Sequence, residues 1–133
     1  MLDSFVVLDR GILVELRNDL EDEFPAILEI SLQAMSERAE IIQDAITRQE
    51  IATIRKVAHQ IKSNSRQLGA LRVGKIAEQM EKLASSQPTS DILKWGNILV
   101  DEIGSAKLAI EEFMLSPTLS SASNRELITE NLA

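Results

Sequence analysis

Four stretches of the chain place apolar residues at alternating steps of four and three, a period that a packed α-helix satisfies and a strand does not. Leu28, Leu32, Met35, Ala39, Ile42 and Ile46 form the first stripe. Ile54, Ala58, Ile61, Ser65 and Leu68 form the second, and Val73, Ile76/Ala77, Met80 and Leu83 the third. Leu99, Ile103, Ala106, Ile110 and Phe113 form the fourth. Each stripe needs a partner surface. The connections between them are short, so neighbours must run antiparallel. The expected fold is all-α: an antiparallel four-helix bundle with crossings near about 20°. A coiled-coil dimer uses the same spacing, so the pattern of any one stripe leaves that alternative open. With all four in one chain of 133 residues, each has an intramolecular partner, and a monomer is expected.

The local signals set the boundaries. Asp9 can cap a short first helix that carries Ile12, Leu13 and Leu16 inward to about Asp19. This helix is expected to cover one end of the bundle, behind a lead-in that packs Phe5 and Leu8. The acidic turn Leu20-Glu21-Asp22-Glu23 precedes Phe24-Pro25, where the second helix starts, proline being tolerated in a first turn. The third helix is expected over about Glu50 to Leu68, ended by Gly69. The fourth runs from Ala70 to about Ser85, and small Gly74 and Ala77 allow it to approach the third closely. Ser85 to Thr89 reads as a loop, with Thr89 or Ser90 capping a fifth helix that runs to about Leu115. Trp95 should cover a bundle end. Pro117 stops the last helix. The bundle is therefore assigned to residues 1–115, and the Ser/Thr-rich 116–133 to a mobile tail in which Arg125 to Leu132 can form a marginal helix.

Composition removes several classes of function. There is no cysteine and one histidine, which excludes disulfides, thiolate zinc sites and histidine-cluster metal sites. A net charge of −7 and few aromatic rings argue against general nucleic-acid binding. No apolar run has membrane-spanning length, and the N-terminus lacks a cationic leader pattern, so the expected location is the cytoplasm. There is no glycine-rich phosphate loop, GxSxG elbow or kinase ATP-binding signature.

Charge is distributed unevenly. Residues 48–75 hold seven of the fourteen basic residues and, in Glu50, one of the twenty-one acidic ones. The single histidine lies within that segment. His59 follows Ala58 of the buried stripe by one residue, about 100° round the helix and off the core face. Lys62, Ser63 and Arg66 share its face, and Arg55 lies one turn before it. On its own, a lone histidine in a helix reads as a surface residue. Predicted exposure, cationic neighbours and the small Ser63 raise the case for a reactive imidazole. Imidazole in its neutral form is a nucleophile available near neutral pH, since its reference pKa is about 6.5.

Ala58-His59-Gln60-Ile61-Lys62, then Ser65, Gly69-Ala70, Val73, Ala77 and Met80-Glu81, resembles the signature of histidine-containing phosphotransfer (HPt) domains. The motif spans about thirty residues, and the flanking helical pattern extends a weaker likeness over about residues 8–114. The resemblance implies a phosphorelay intermediate without kinase activity of its own. It would accept phosphate on His59 from the receiver domain of a hybrid sensor kinase and pass it to a response-regulator receiver. Lys62 would stabilise the transferring charge, with Arg55 and Arg66 adding a longer-range field towards the partner. Glu81 falls where the family places a side chain that orients the histidine; the plainer reading of Glu81 is an exposed surface charge. No intrinsic cofactor is implied, and Mg²⁺ would belong to the receiver. The chain departs from the family at Ser63, where glycine is usual. A helical adaptor or dimerisation module without phosphoryl chemistry is the alternative function. Arg72 and Lys75 read as solvated charges.

Overall fold

The predicted stripes supply most of the core. In α3 (Ile51–Leu68), Ile54, Ala58, Ile61, Ser65 and Leu68 are all at most 2 % exposed. In α5 (Ser90–Leu115), Leu99, Ile103, Ala106, Ile110 and Phe113 are all buried. α2 (Phe24–Thr47) buries Leu28, Met35, Ala39 and Ile42, while Leu32 and Ile46 pack half-buried at its edges. In α4 (Leu71–Ser86), Val73, Ile76, Ala77 and Met80 are buried. There the fourth-turn contact is Ala84, with Leu83 only half-buried, because the buried row continues its four–three–four step past Met80.

The computed structural model describes residues 5–86 and 90–115. Those residues form an antiparallel four-helix bundle in which α2 and α4 each pack on both α3 and α5, leaving α3 diagonal to α5. No strand occurs among the described residues. Nor is any helix among them long and apolar enough to cross a membrane. The 116–133 tail and the proposed loop residues 87–89 lie outside the described residues. Ser85 and Ser86, expected in that loop, are helical: their hydroxyls donate to the carbonyls of Glu81 and Lys82 one turn back.

The short helix α1 (Arg10–Leu20) begins where Asp9 Oδ1 accepts from the Gly11 amide at 3.0 Å. It buries Leu13 and lays the Arg10 and Arg17 guanidinium groups 5.1 and 5.3 Å from the Phe113 ring centre. Phe113 meets Phe24 edge to face, with centroids 6.4 Å apart. α1 therefore covers the end where α2 begins and α5 finishes. The acidic turn that follows is a 3-10 turn over Glu21–Glu23.

Two turns frame α3. Gln49 takes φ of 59° before it, and the Glu50 amide reaches back to the Ala45 carbonyl at 2.8 Å. Gly69 ends it in the left-handed region at φ of 85°. The lead-in is strapped to this second turn. The Asp9 amide donates to the Gly69 carbonyl at 2.7 Å, and the Arg72 amide donates to the Val6 carbonyl at 3.1 Å.

Candidate functional site

Helices α3 and α4 pack closely because the residues between them are small. Gly74 lies opposite Ser65 and Arg66. A Cβ on Gly74 would stand 3.1 Å from Arg66 Cγ and 3.3 Å from Ser65 Oγ. Ser65 satisfies its buried hydroxyl within its own helix, donating to the Lys62 carbonyl at 3.1 Å. Ala58 and Ala77 are fully buried farther along the two helices. With the helices this close, a side chain of α4 can bridge residues on the outer face of α3.

Glu81 is that side chain. One carboxylate oxygen, Oε2, lies 3.0 Å from His59 Nδ1, and the other, Oε1, accepts from Lys62 Nζ at 2.8 Å. The bond from Lys62 is the largest influence holding the Glu81 carboxyl below its ordinary pKa of 4.5; the bond from His59 acts the same way, and partial burial opposes both. Glu81 is therefore ionised at neutral pH and can only accept. That assigns the proton of the neutral imidazole to Nδ1 and leaves the lone pair on Nε2. The imidazole is the open member of the three: its side chain is 61 % exposed, against 20 % for Lys62 and 25 % for Glu81.

The remaining predicted residues are arranged less simply. Arg66 lies 3.5 Å from Glu78, which Lys75 also contacts at 3.2 Å. Much of the Arg66 charge thus faces a carboxylate on α4. Lys75 lowers the Glu78 pKa through that hydrogen bond. Arg55 is exposed on α3 and forms no ion pair among the described residues. Ser63 is exposed beside His59 in a shallow groove, whose far wall carries Arg38 of α2. Arg72 and Lys75 are not the solvated charges expected. Arg72 Nε donates to the Phe5 carbonyl at 3.1 Å and its guanidinium lies 3.6 Å from Glu102, while Lys75 Nζ sits 5.6 Å from the Phe5 ring centre. Both tie α4 to the lead-in.

Arg38 and Glu78 were not singled out from the sequence. A signal for Arg38 was available. It falls three residues after Met35 and four before Ile42, at the edge of the buried stripe, where a long cationic side chain lies along a boundary with one of the neighbouring helices; the structure shows that neighbour to be α3. Glu78 lies three residues after Lys75 on one helix, so that pair is readable in the sequence, whereas its contact with Arg66 depends on how α3 packs against α4. Among the described residues, no group of three or more His, Asp or Glu side chains is placed to hold a metal ion.

The Glu81 bridge predicts an acid response. A carboxylate whose pKa is lower in the folded state stabilises the fold above its unfolded pKa, and that contribution is lost as pH falls through the lower, folded value. Melting temperatures measured below about pH 4.5 should therefore fall, and Glu81→Gln should remove a part worth about 1 kcal/mol or less, since the site is partly solvated. An identical acid profile in the variant would show that the bridge contributes nothing to stability.

Comparison with known proteins adds family and fold. The sequence model of the Hpt domain matches residues 26–108, a span that includes α3 and α4 whole. The crystal structure of histidine-containing phosphotransfer protein B (HptB) from Pseudomonas aeruginosa PAO1 is similar to this one with a TM-score of 0.76. The match covers 80 % of this chain and 92 % of that one at 21 % identity, a likeness of fold. No curated protein matches the chain.

Proposed function

The chain belongs to the Hpt domain family, and from that premise we propose that it carries a phosphoryl group on His59 between two receiver domains. One receiver would belong to a hybrid sensor kinase and the other to a response regulator. The observation that carries the reading is the Glu81 bridge: it leaves Nε2 of an exposed imidazole with its lone pair available.

The chemistry follows from that arrangement. Nε2 attacks the phosphorus of an aspartyl phosphate. The N–P bond forms, the bond from phosphorus to the acyl oxygen breaks, and the aspartate leaves as a carboxylate. The Nδ1 proton stays on the ring against Glu81, which balances the positive charge that the ring acquires. Phosphoryl transfer asks mainly for positioning and charge stabilisation, and Mg²⁺ would come with the receiver's acidic pocket. Lys62 acts through Glu81, holding the carboxylate in place, and adds positive charge nearby. Lys62→Ala should therefore slow transfer without abolishing it, because lysine forms no bond to phosphorus. Complete loss of labelling in a folded Lys62→Ala protein would contradict this role.

The basic face suits an acidic partner. Arg55 is the cleaner probe, because reversing Arg66 would also set two like charges at Glu78. Arg55→Glu should slow association with a receiver domain and flatten its salt dependence while the fold persists. Unchanged association rates across salt would count against docking on this face. A monomer in the cytoplasm, without autonomous kinase activity, is the form proposed to act.

The test of the function as a whole is passage of label. Receiver domains from the source genome are charged with labelled acetyl phosphate and mixed with the chain, and a second receiver is then added. Label should move from receiver to chain to receiver. If the chain binds receivers but takes no label from any, the helical adaptor is the better description.

A further inference from the structure

We infer that Arg38, on α2, is a second cation of the transfer site, placed to act on the phosphoryl group itself; this rests on His59 being the acceptor. Lys62 is already matched by a carboxylate, with its Nζ 2.8 Å from Glu81 Oε1. His59 turns Nδ1 to that same carboxylate, on the α4 side of α3. On the α2 side, His59 lines the shallow groove together with Arg38, Gln60, Ser63, Asn64 and Gln67. Arg38 is the only fixed charge among those residues. Its side chain is half-buried and forms no ion pair with any described residue. Its neighbours in the groove are neutral amides and a hydroxyl, which leave the guanidinium charge uncompensated. Asn64, which also lines the groove, ties α3 to α2: its Nδ2 donates to the Ser31 carbonyl at 3.2 Å, two turns before Arg38.

His59 thus has an anion of α4 against one ring nitrogen and shares a groove with a cation of α2. A phosphoryl group arriving at Nε2 carries negative charge on its three non-bridging oxygens. Glu81 repels that charge, and much of the Lys62 charge is taken up in offsetting Glu81. A guanidinium in the groove attracts it, and its planar fork can hold two oxygens at once. Arg38 forms no covalent bond. It stabilises the charge on the oxygens while the N–P bond forms and the bond to the aspartyl oxygen breaks. The hydroxyl of Ser63 shares the groove, so the side chain that replaces the usual glycine lies beside this cation.

The test uses the full chain and the source-genome receiver domain that loses its label to it fastest. Transfer is measured over a range of receiver concentrations, which separates the saturating rate from the half-saturating concentration. Arg38→Met keeps most of the aliphatic stem and removes the charge; Arg38→Gln replaces it if the first variant does not fold. Lys94→Ala, on α5, controls for loss of one positive charge away from the site. We expect a saturating rate lowered roughly tenfold in Arg38→Met with little change in half-saturation, a modest value for losing one charge-stabilising donor in an open site. Arg38→Lys should recover part of the rate, and Lys94→Ala should match the wild type. A wild-type saturating rate in the folded Arg38 variants overturns the inference. A change confined to half-saturation also overturns it, and makes Arg38 a docking charge. If the wild-type chain takes label from no receiver, the phosphocarrier reading itself fails, an outcome that needs no variant to recognise.

Discussion

His59→Gln should abolish phosphoryl uptake and leave thermal stability nearly unchanged. The imidazole lies off the buried stripe with most of its side chain in solvent, so replacing it opens no cavity. Exposed substitutions usually move stability by about 0.5 kcal/mol or less. Glutamine also keeps an N–H donor that can reach Glu81, so the carboxylate is not left with Lys62 alone. The chemical loss, by contrast, is complete. Glutamine has no nucleophilic nitrogen, and the chain has no other histidine to take over. A phosphorylated receiver should keep its label in the presence of the variant. Uptake at even a tenth of the wild-type rate would place the acceptor elsewhere.

Gly69→Ala should be the most damaging single-methyl change for the fold. Gly69 adopts φ of 85°, where an L-residue costs about 1–2 kcal/mol. Space adds to that cost, because a Cβ here would stand 2.6 Å from the carbonyl oxygen of Asp9. That oxygen is backbone and cannot rotate away. Relief requires the lead-in to move, which strains or breaks the 2.7 Å bond from the Asp9 amide to the Gly69 carbonyl. A lost hydrogen bond of this kind is worth about 1 kcal/mol. Together these effects predict a loss of about 2–4 kcal/mol, lowering the melting temperature by on the order of 10 °C. The folded fraction should still accept phosphate, since His59 lies more than two turns away along α3. A melting temperature within about 2 °C of wild type would mean that the lead-in is only loosely held.

The architecture was legible because burial in a helical bundle imposes a period, and the period is written in residue types. Ile54, Ala58, Ile61, Ser65 and Leu68 could be assigned to one face, and His59 off it, from spacing alone. Gly69 marked its own turn. The turn at Gln49 carried no such mark, because a left-handed glutamine is tolerated there by the back-bond from Glu50 to Ala45. The site was legible only in part, for the same kind of reason. His59, Lys62, Ser63 and Arg66 lie on one helix, so their spacing relates them. Glu81, Glu78 and Arg38 reach the site from other helices, and their distances depend on how closely Gly74 and Ala77 let α4 approach and on where α2 runs. The pairing of Lys62 with Glu81, and of Arg66 with Glu78, redistributes a basic face that looked uniform in sequence. The Hpt motif supplied Glu81 by resemblance, whereas periodicity left it open between a positioning residue and a surface charge.

The phosphoryl group is expected on one atom, Nε2 of His59, and the chemical position of the label identifies that atom. The wild-type chain is loaded from a phosphorylated receiver domain, and the product is examined by phosphorus NMR and by mass spectrometry after digestion under alkaline conditions. The expected product is a single acid-labile, base-stable phosphoramidate on the peptide containing His59, bonded at Nε2, with Nδ1 still protonated against Glu81. An acid-stable ester on Ser63 or Ser65, or a phosphoramidate at Nδ1, would contradict it.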